Sequence, residues 1–207
     1  MRWVQAWAHV RALRVDEVAG WPLLHVLGPS RDTEIICVDP GRETFEQLAE
    51  HTAGDPREML TVFGHDLAAY RAPPLPPGVR VDRDDELFMT TTLAAEPPDA
   101  VPDALLAHWV VEGSRATYAL HDDERVATEG TAGVLGPIAV FDNVETSTTH
   151  RRQGLGRHVM GALTTWAVEQ GATTGMLAAS ADGTRLYRSL GWEPALDMWS
   201  LMGVADD

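Results

Sequence analysis

The chain contains no lysine: its sixteen basic residues are all arginines, set against thirty-one acids for a formal charge of −15. A chain so short of positive charge is not built to hold a polyanion, so no nucleic-acid partner is expected. The missing lysine also excludes the Gly-x-x-x-x-Gly-Lys-Ser/Thr phosphate loop. Cys37 is the single cysteine, so no internal disulfide can form, which fits a reducing compartment. No stretch approaches 18 uninterrupted apolar residues, and the N-terminal residues lack a cleavage-site pattern after an apolar core. A cytoplasmic protein with no membrane partner is therefore expected.

Hydrophobic residues make up 44% and charged residues 23% of 207, which predicts a globular chain: one large domain, or one domain with a sizeable extension. The acidic surface favours cationic small molecules or basic peptides, although the same composition also serves solubility alone.

Residues 1–78 read as a mixed region without a motif that carries chemistry. Trp3, Trp7, Val10 and Arg14 follow helix-like spacing, and 23–27, 33–38 and 59–63 read as short strands. Between them, Asp39-Pro40-Gly41 forms a turn and 44–53 a helix, with Thr44 or Asp39 near its start. The run Arg71-Ala72-Pro73-Pro74-Leu75-Pro76-Pro77-Gly78 excludes helix and central strand, and it divides the chain into an N-terminal region, 1–78, and a domain at 79–207. A second break, Glu-Pro-Pro-Asp-Ala-Val-Pro at 96–102, follows a strand at 86–93. The stretch 103–111 is open between short helix and strand, and no internal repeat is visible.

The pattern sharpens from residue 116. Strands at 116–120 and 125–133 form a hairpin, and 138–146 is a third strand, apolar at first and polar from Asp142. Leu155, Val159, Leu163 and Trp166 then mark one buried helical stripe, ended by Gly171. A strand at 176–180, a short helix at 182–190 and a last strand or hairpin at 192–202 follow. This order predicts an α/β (α+β) fold with helices on the faces of a mixed sheet.

Between the third strand and the helix stands His150-Arg151-Arg152-Gln153-Gly154-Leu155-Gly156-Arg157-His158. The first N–H groups of a helix lack intrahelical partners and sit at the positive end of its dipole, so this junction suits a phosphate group. A dinucleotide-binding turn would need a third glycine where Val159 stands and an acid where the next strand ends at Ser180. What remains, Arg151-x-x-Gly154-x-Gly156, resembles the acyl-CoA-binding motif of the GNAT superfamily of N-acetyltransferases. Leu186-Tyr187-Arg188-Ser189-Leu190-Gly191-Trp192 is similar to that family's Leu-Tyr-x-x-Leu-Gly-Phe segment. The resemblance covers roughly residues 116–202.

The resemblance implies a GNAT-type mixed, mostly antiparallel sheet flanked by helices, here with an N-terminal extension. It implies acetyl-CoA as co-substrate and direct transfer of an acetyl group to a primary amine of a small molecule or peptide in a ternary complex. The N–H groups of Gln153, Gly154, Leu155 and Gly156 would hold the pyrophosphate, and Arg151, Arg152 and Arg157 would add charge-assisted contacts. The backbone from Val144 to Thr146 would pair with the pantetheine arm and present an N–H to the thioester carbonyl. Ser180 stands where the family commonly has asparagine and can still donate a hydrogen bond. Tyr187 would protonate the departing thiolate; the plain alternative is an aromatic packing under the sheet.

The general base would be Glu145, with Asp142 second, or both are solvated acids. Three residues apart, they point to opposite faces of a regular strand unless a bulge intervenes. His150 and His158 lack metal-site spacing, so no metal is expected and both read as surface residues, while Cys37 reads as a small buried hydrophobe. The N-terminal region would cover one side of the acceptor cleft or form a homodimer surface. Two other functions fit the same motif: a non-catalytic acyl-CoA-binding or sensing module, and an interaction protein in which the glycines only shape a turn.

Overall fold

The computed structural model describes residues 2–95 and 100–205. Part of the second proline-rich break, 96–99, lies outside the described residues. In chain order the elements are α1 (Arg2–Arg11), β1 (Val15–Val18), β2 (Trp21–His25), β3 (Thr33–Val38), α2 (Arg42–Ala53), β4 (Glu58–Gly64), α3 (Ala68–Arg71), β5 (Val79–Thr92), β6 (Leu106–Glu112), β7 (Arg115–Asp122), β8 (Arg125–Leu135), β9 (Ile138–Thr146), α4 (Leu155–Glu169), β10 (Thr174–Ala179), α5 (Ala181–Ser189) and β11 (Glu193–Gly203). The fold is a mixed, mostly antiparallel sheet flanked by helices. Among the described residues no helix is long and apolar enough to cross a membrane.

The chain divides into two compact units. The first comprises Met1–Val10, Thr90–Ala178 and Asp182–Glu193; the second comprises Arg11–Met89, Ala179–Ala181 and Pro194–Asp207.

In the first unit, β6, β7, β8 and β9 pair antiparallel in sequence order, and β10 pairs parallel to β9. Helix α4 covers one face. Its stripe of Leu155, Val159, Leu163 and Trp166 is buried, each aliphatic member contributing about 1.5–3 kcal/mol. Helix α1 covers the other face with Trp3, Val4, Trp7 and Val10, and its two indoles stack at 5.4 Å, one helical turn apart. The approach is close because β8 offers Gly133 beneath Val10, where a Cβ would collide with the valine. The ambiguous stretch before the hairpin is strand, since β6 finds seven partners on β7.

In the second unit, β1, β2 and β3 form an antiparallel meander, α2 connects β3 to a parallel β4, and β11 pairs antiparallel with β4. All seven residues of β4 are buried, as in a strand covered on both faces. Ile35, Cys37, Phe45, Leu48 and Leu60 belong to its core. Three expectations differ. Strand β1, Val-Asp-Glu-Val, is too polar to be read as a strand and exists through its pairing with β2. Strand β5 starts at Val79 rather than 86. Helix α2 starts at Arg42 with Gly41 as N-cap and no side-chain cap, so neither Asp39 nor Thr44 caps it.

Candidate active site

The site is built on the junction of β9, α4 and β10. The two parallel strands pair only through Ile138, Ala139 and Val140 against Thr174, Gly175 and Met176. Beyond that point β9 continues to Thr146 and β10 to Ala179 with no further pairs between them among the described residues. The strands diverge, and the β9 backbone edge facing β10 is left without a neighbouring strand. Backbone N–H and C=O groups require partners, so such an edge is a template for an extended ligand.

A bulge sits on the same stretch. Thr131 pairs with Asp142 and Glu129 with Glu145, so two residues of β9, Asn143 and Val144, oppose Gly130 alone. Asn143 takes a left-handed backbone, φ 51°, and its N–H donates to Asp142 Oδ1 at 2.9 Å. The extra residue cancels the alternation expected of a regular strand. Asp142 and Glu145 therefore point to one face, the face of α1, where Trp7 Nε1 donates to Asp142 Oδ2 at 2.9 Å. Val144 and Thr146 turn to the α4 face. A Cβ on Gly130 would meet both Val144 and Val159, and Thr146 Oγ1 lies 2.9 Å from Thr128 Oγ1.

Between β9 and α4 the chain makes a short turn of helix at Thr148–His150, and α4 itself begins only at Leu155. Arg152 has φ 64° and Gly154, the N-cap, φ 80°. Glycine meets that conformation without steric cost, and no side chain caps the helix, so its first N–H groups face outward unclaimed by a capping residue. The arginines separate in role. Arg151 Nε donates to the Thr146 carbonyl at 3.2 Å, and Arg157 Nη2 donates to Ser189 Oγ at 3.1 Å, tying α4 to α5. Arg152 is exposed, as is Gln153, whose amide donates to the Thr149 carbonyl at 3.4 Å. Ser180 is exposed between β10 and α5.

Tyr187, on α5, is 7% exposed. Its ring lies 6.0 Å from Trp192, which meets Phe141 of β9 edge-on at 5.4 Å. Burial, and secondly the charge of Asp142, push the phenol up to about 12.

Sequence reasoning missed Glu129, which lies directly across from Glu145 on the α1 face. The hairpin pattern placed Glu129 on a strand, but only the bulged register shows which residue it opposes. His158 corrects an expectation. It is 5% exposed rather than a surface residue, because it falls beside the buried stripe of α4, and its Nε2 lies 2.8 Å from Tyr118 Oη. His150 is half-buried, with Nε2 3.1 Å from Asp122 Oδ2. Cys37 is fully buried, its thiol pushed up by burial. Among the described residues no three metal-ligating side chains cluster.

Known proteins share this fold. A family model, the Acetyltransferase (GNAT) family, matches residues 83–192, just over half of the chain. The chain is similar in structure to a GCN5-related N-acetyltransferase from Kribbella flavida, with TM-score 0.69 and 16% identity over 99% of this chain and 95% of that one. It is also similar to a tandem GNAT protein from the clavulanic acid biosynthesis pathway, with TM-score 0.57 and 14% identity over 94% and 85%. A GCN5-related N-acetyltransferase from Sphaerobacter thermophilus aligns with TM-score 0.57 and 12% identity over 87% and 75%. At these identities the likeness is one of fold. No curated protein matches the chain.

Proposed function

The chain belongs to the GNAT acetyltransferase family, and from that premise we propose that it moves an acetyl group from acetyl-CoA to a primary amine by direct transfer in a ternary complex. The observation that carries this reading is the divergence of β9 and β10 beyond Val140 and Met176, which leaves a free backbone edge ending at the glycine turn.

Acetyl-CoA fits the residues present. The outward N–H groups of Gln153, Gly154, Leu155 and Gly156 suit a pyrophosphate, and Arg151 and Arg152 add charge beside it. Arg157 is committed to Ser189 and acts here as a tie between helices. The strand-free edge from Val144 to Thr146, its last carbonyl already accepting from Arg151 Nε, pairs its remaining groups with the amides of the pantetheine arm as an added strand would, and offers an N–H to the thioester carbonyl.

In the transfer the C–N bond forms, the C–S bond breaks, the amine loses a proton and the sulfur gains one. Glu145 takes the amine proton, and Glu129 opposite it deepens the negative potential that draws a protonated amine in. Asp142 already accepts from Trp7 and ranks second as base. Tyr187 donates to the sulfur. With its pKa near 12 it stays protonated at neutral pH, so a donor is always available. The three acids on the α1 face favour a cationic amine or a peptide N-terminus as acceptor.

Thiol release from acetyl-CoA across a panel of amines, with wild-type protein and Tyr187→Phe, tests the reading. Amine-dependent release that Tyr187→Phe abolishes is expected. Saturable acetyl-CoA binding with no release on any amine overturns it in favour of a non-catalytic binding module.

A further inference from the structure

A cavity of about 320 Å³ runs along α4 from His158 to Glu169, closed on its other side by β6 and β7. None of its lining residues belongs to the acyl-transfer site described above. Its volume is that of a small-molecule site, and four of its nine lining residues carry rings. Trp109 lies 4.5 Å from Tyr118, which lies 5.7 Å from His158, so three rings form a row on one side. Trp166 adds an indole from the helix. Trp109 remains 41% exposed, which keeps part of this aromatic surface in contact with solvent.

The electrostatics have one sign. Glu169 is the lining residue with a fixed charge; it is exposed, and among the described residues no arginine or histidine forms an ion pair with it. It is also the last residue of α4, whose last turn holds no basic side chain to offset the negative end of the helix dipole. An anionic ligand would meet carboxylate and helix terminus together, and a neutral one would leave both uncompensated. A cation with an apolar shell satisfies the rings and the charge at once.

We infer that this cavity binds a small organic cation of the quaternary or tertiary ammonium type, its charge against the aromatic rings and Glu169. The site is distinct from the acetyl-transfer chemistry, so the two are tested separately.

Choline and its neutral isostere 3,3-dimethyl-1-butanol have the same shape and differ in charge. Each is titrated against the full chain without acetyl-CoA, following the indole N–H signals of Trp109 and Trp166 by NMR and the heat by calorimetry. Choline is expected to bind saturably and move both signals, with the isostere about tenfold weaker. Glu169→Gln, a change at an exposed position, is expected to weaken choline by about threefold to tenfold and to leave acetyl-CoA-dependent thiol release unchanged. Equal binding of the two probes means an apolar cavity without cation selectivity and overturns the inference. So does the absence of saturable choline binding, or an unchanged choline affinity in a folded Glu169→Gln protein.

Discussion

Each of the two units contains a strand, a helix and a parallel strand, β3–α2–β4 in one and β9–α4–β10 in the other, and the two are finished differently. The first is zipped: Thr33 to Val38 pair with Glu58 to Phe63 at six consecutive positions. The second pairs at three positions and opens. In the zipped module the turn before the helix is occupied by the protein itself, since Tyr70 Oη donates to the Pro40 carbonyl while Phe45 packs between Tyr70 and Trp199. Its helix follows Asp39-Pro40-Gly41, an acid where the open module has arginines, and Gly41 has an ordinary φ of −58°. Connectivity alone therefore makes no ligand site. What sets the candidate site apart is a bulge, a left-handed glycine and a strand edge without a neighbouring strand.

The largest effect that separates the modules is expected at Tyr187. Tyr187→Phe keeps the ring against Trp192 and removes the hydroxyl proposed as proton donor, so kcat should fall by about 100-fold or more while KM for acetyl-CoA stays within about twofold. Thiol-release kinetics measure both.

Next in size is a matched pair of glycine changes. Gly154→Ala forces a side chain into φ 80°, at a cost of about 1–2 kcal/mol, and should raise KM for acetyl-CoA about tenfold. Gly41→Ala, with open space around it, should leave kinetics untouched. Equal effects would erase the distinction between the two turns.

Asp142→Asn removes a negative charge that holds the Tyr187 phenol up, while burial, the larger cause, remains. The phenolate titration, followed by ultraviolet absorbance, should move down from about 12 and stay above the ordinary value of 10. The upper limb of the pH–rate profile should move with it. The raised pKa also makes the fold pH-dependent. Above pH 10 the unfolded chain has lost a proton that the folded chain keeps, so stability is full below 10 and declines as pH rises towards 12.

The smallest effect belongs to the zipped module. Tyr70→Phe loses the bond to Pro40 and should cost about 1 kcal/mol, seen as a lower urea midpoint, with kcat unchanged.

Much of this architecture is legible in the residues. The bounds 138–146 for β9, the stripe on α4 and the glycine turn all follow from local pattern, because a buried strand and an amphipathic helix write their periods into the chain. What resists reading depends on partners distant in sequence. Strand β1 needs β2, and β6 is decided by β7 rather than by its own ambiguous residues. The bulge at Asn143 is a mismatch between two strands, invisible in either alone. With it go the shared face of Asp142 and Glu145, the carboxylate opposite at Glu129 and the indole that reaches Asp142 from residue 7. The elements of the candidate site were readable, and their mutual aim was not.

The contacts between α4 and α5 set a limit on chain length. Gly156 faces Leu186, where a Cβ would sit 3.0 Å from the leucine, and Arg157 reaches Ser189. A residue inserted between the glycine turn and the middle of α4 would rotate the rest of the helix by about 100°, swinging its buried stripe off the sheet. An insertion early in α5 would turn the start of that helix against the segment that holds Tyr187 in the same manner. Slack can be taken up only outside the two helices, at turns such as the one around Gly171, whose left-handed backbone at φ 91° already leaves the helical path. Homologous chains should therefore vary in length at that turn and keep their count through α4 and the first two turns of α5.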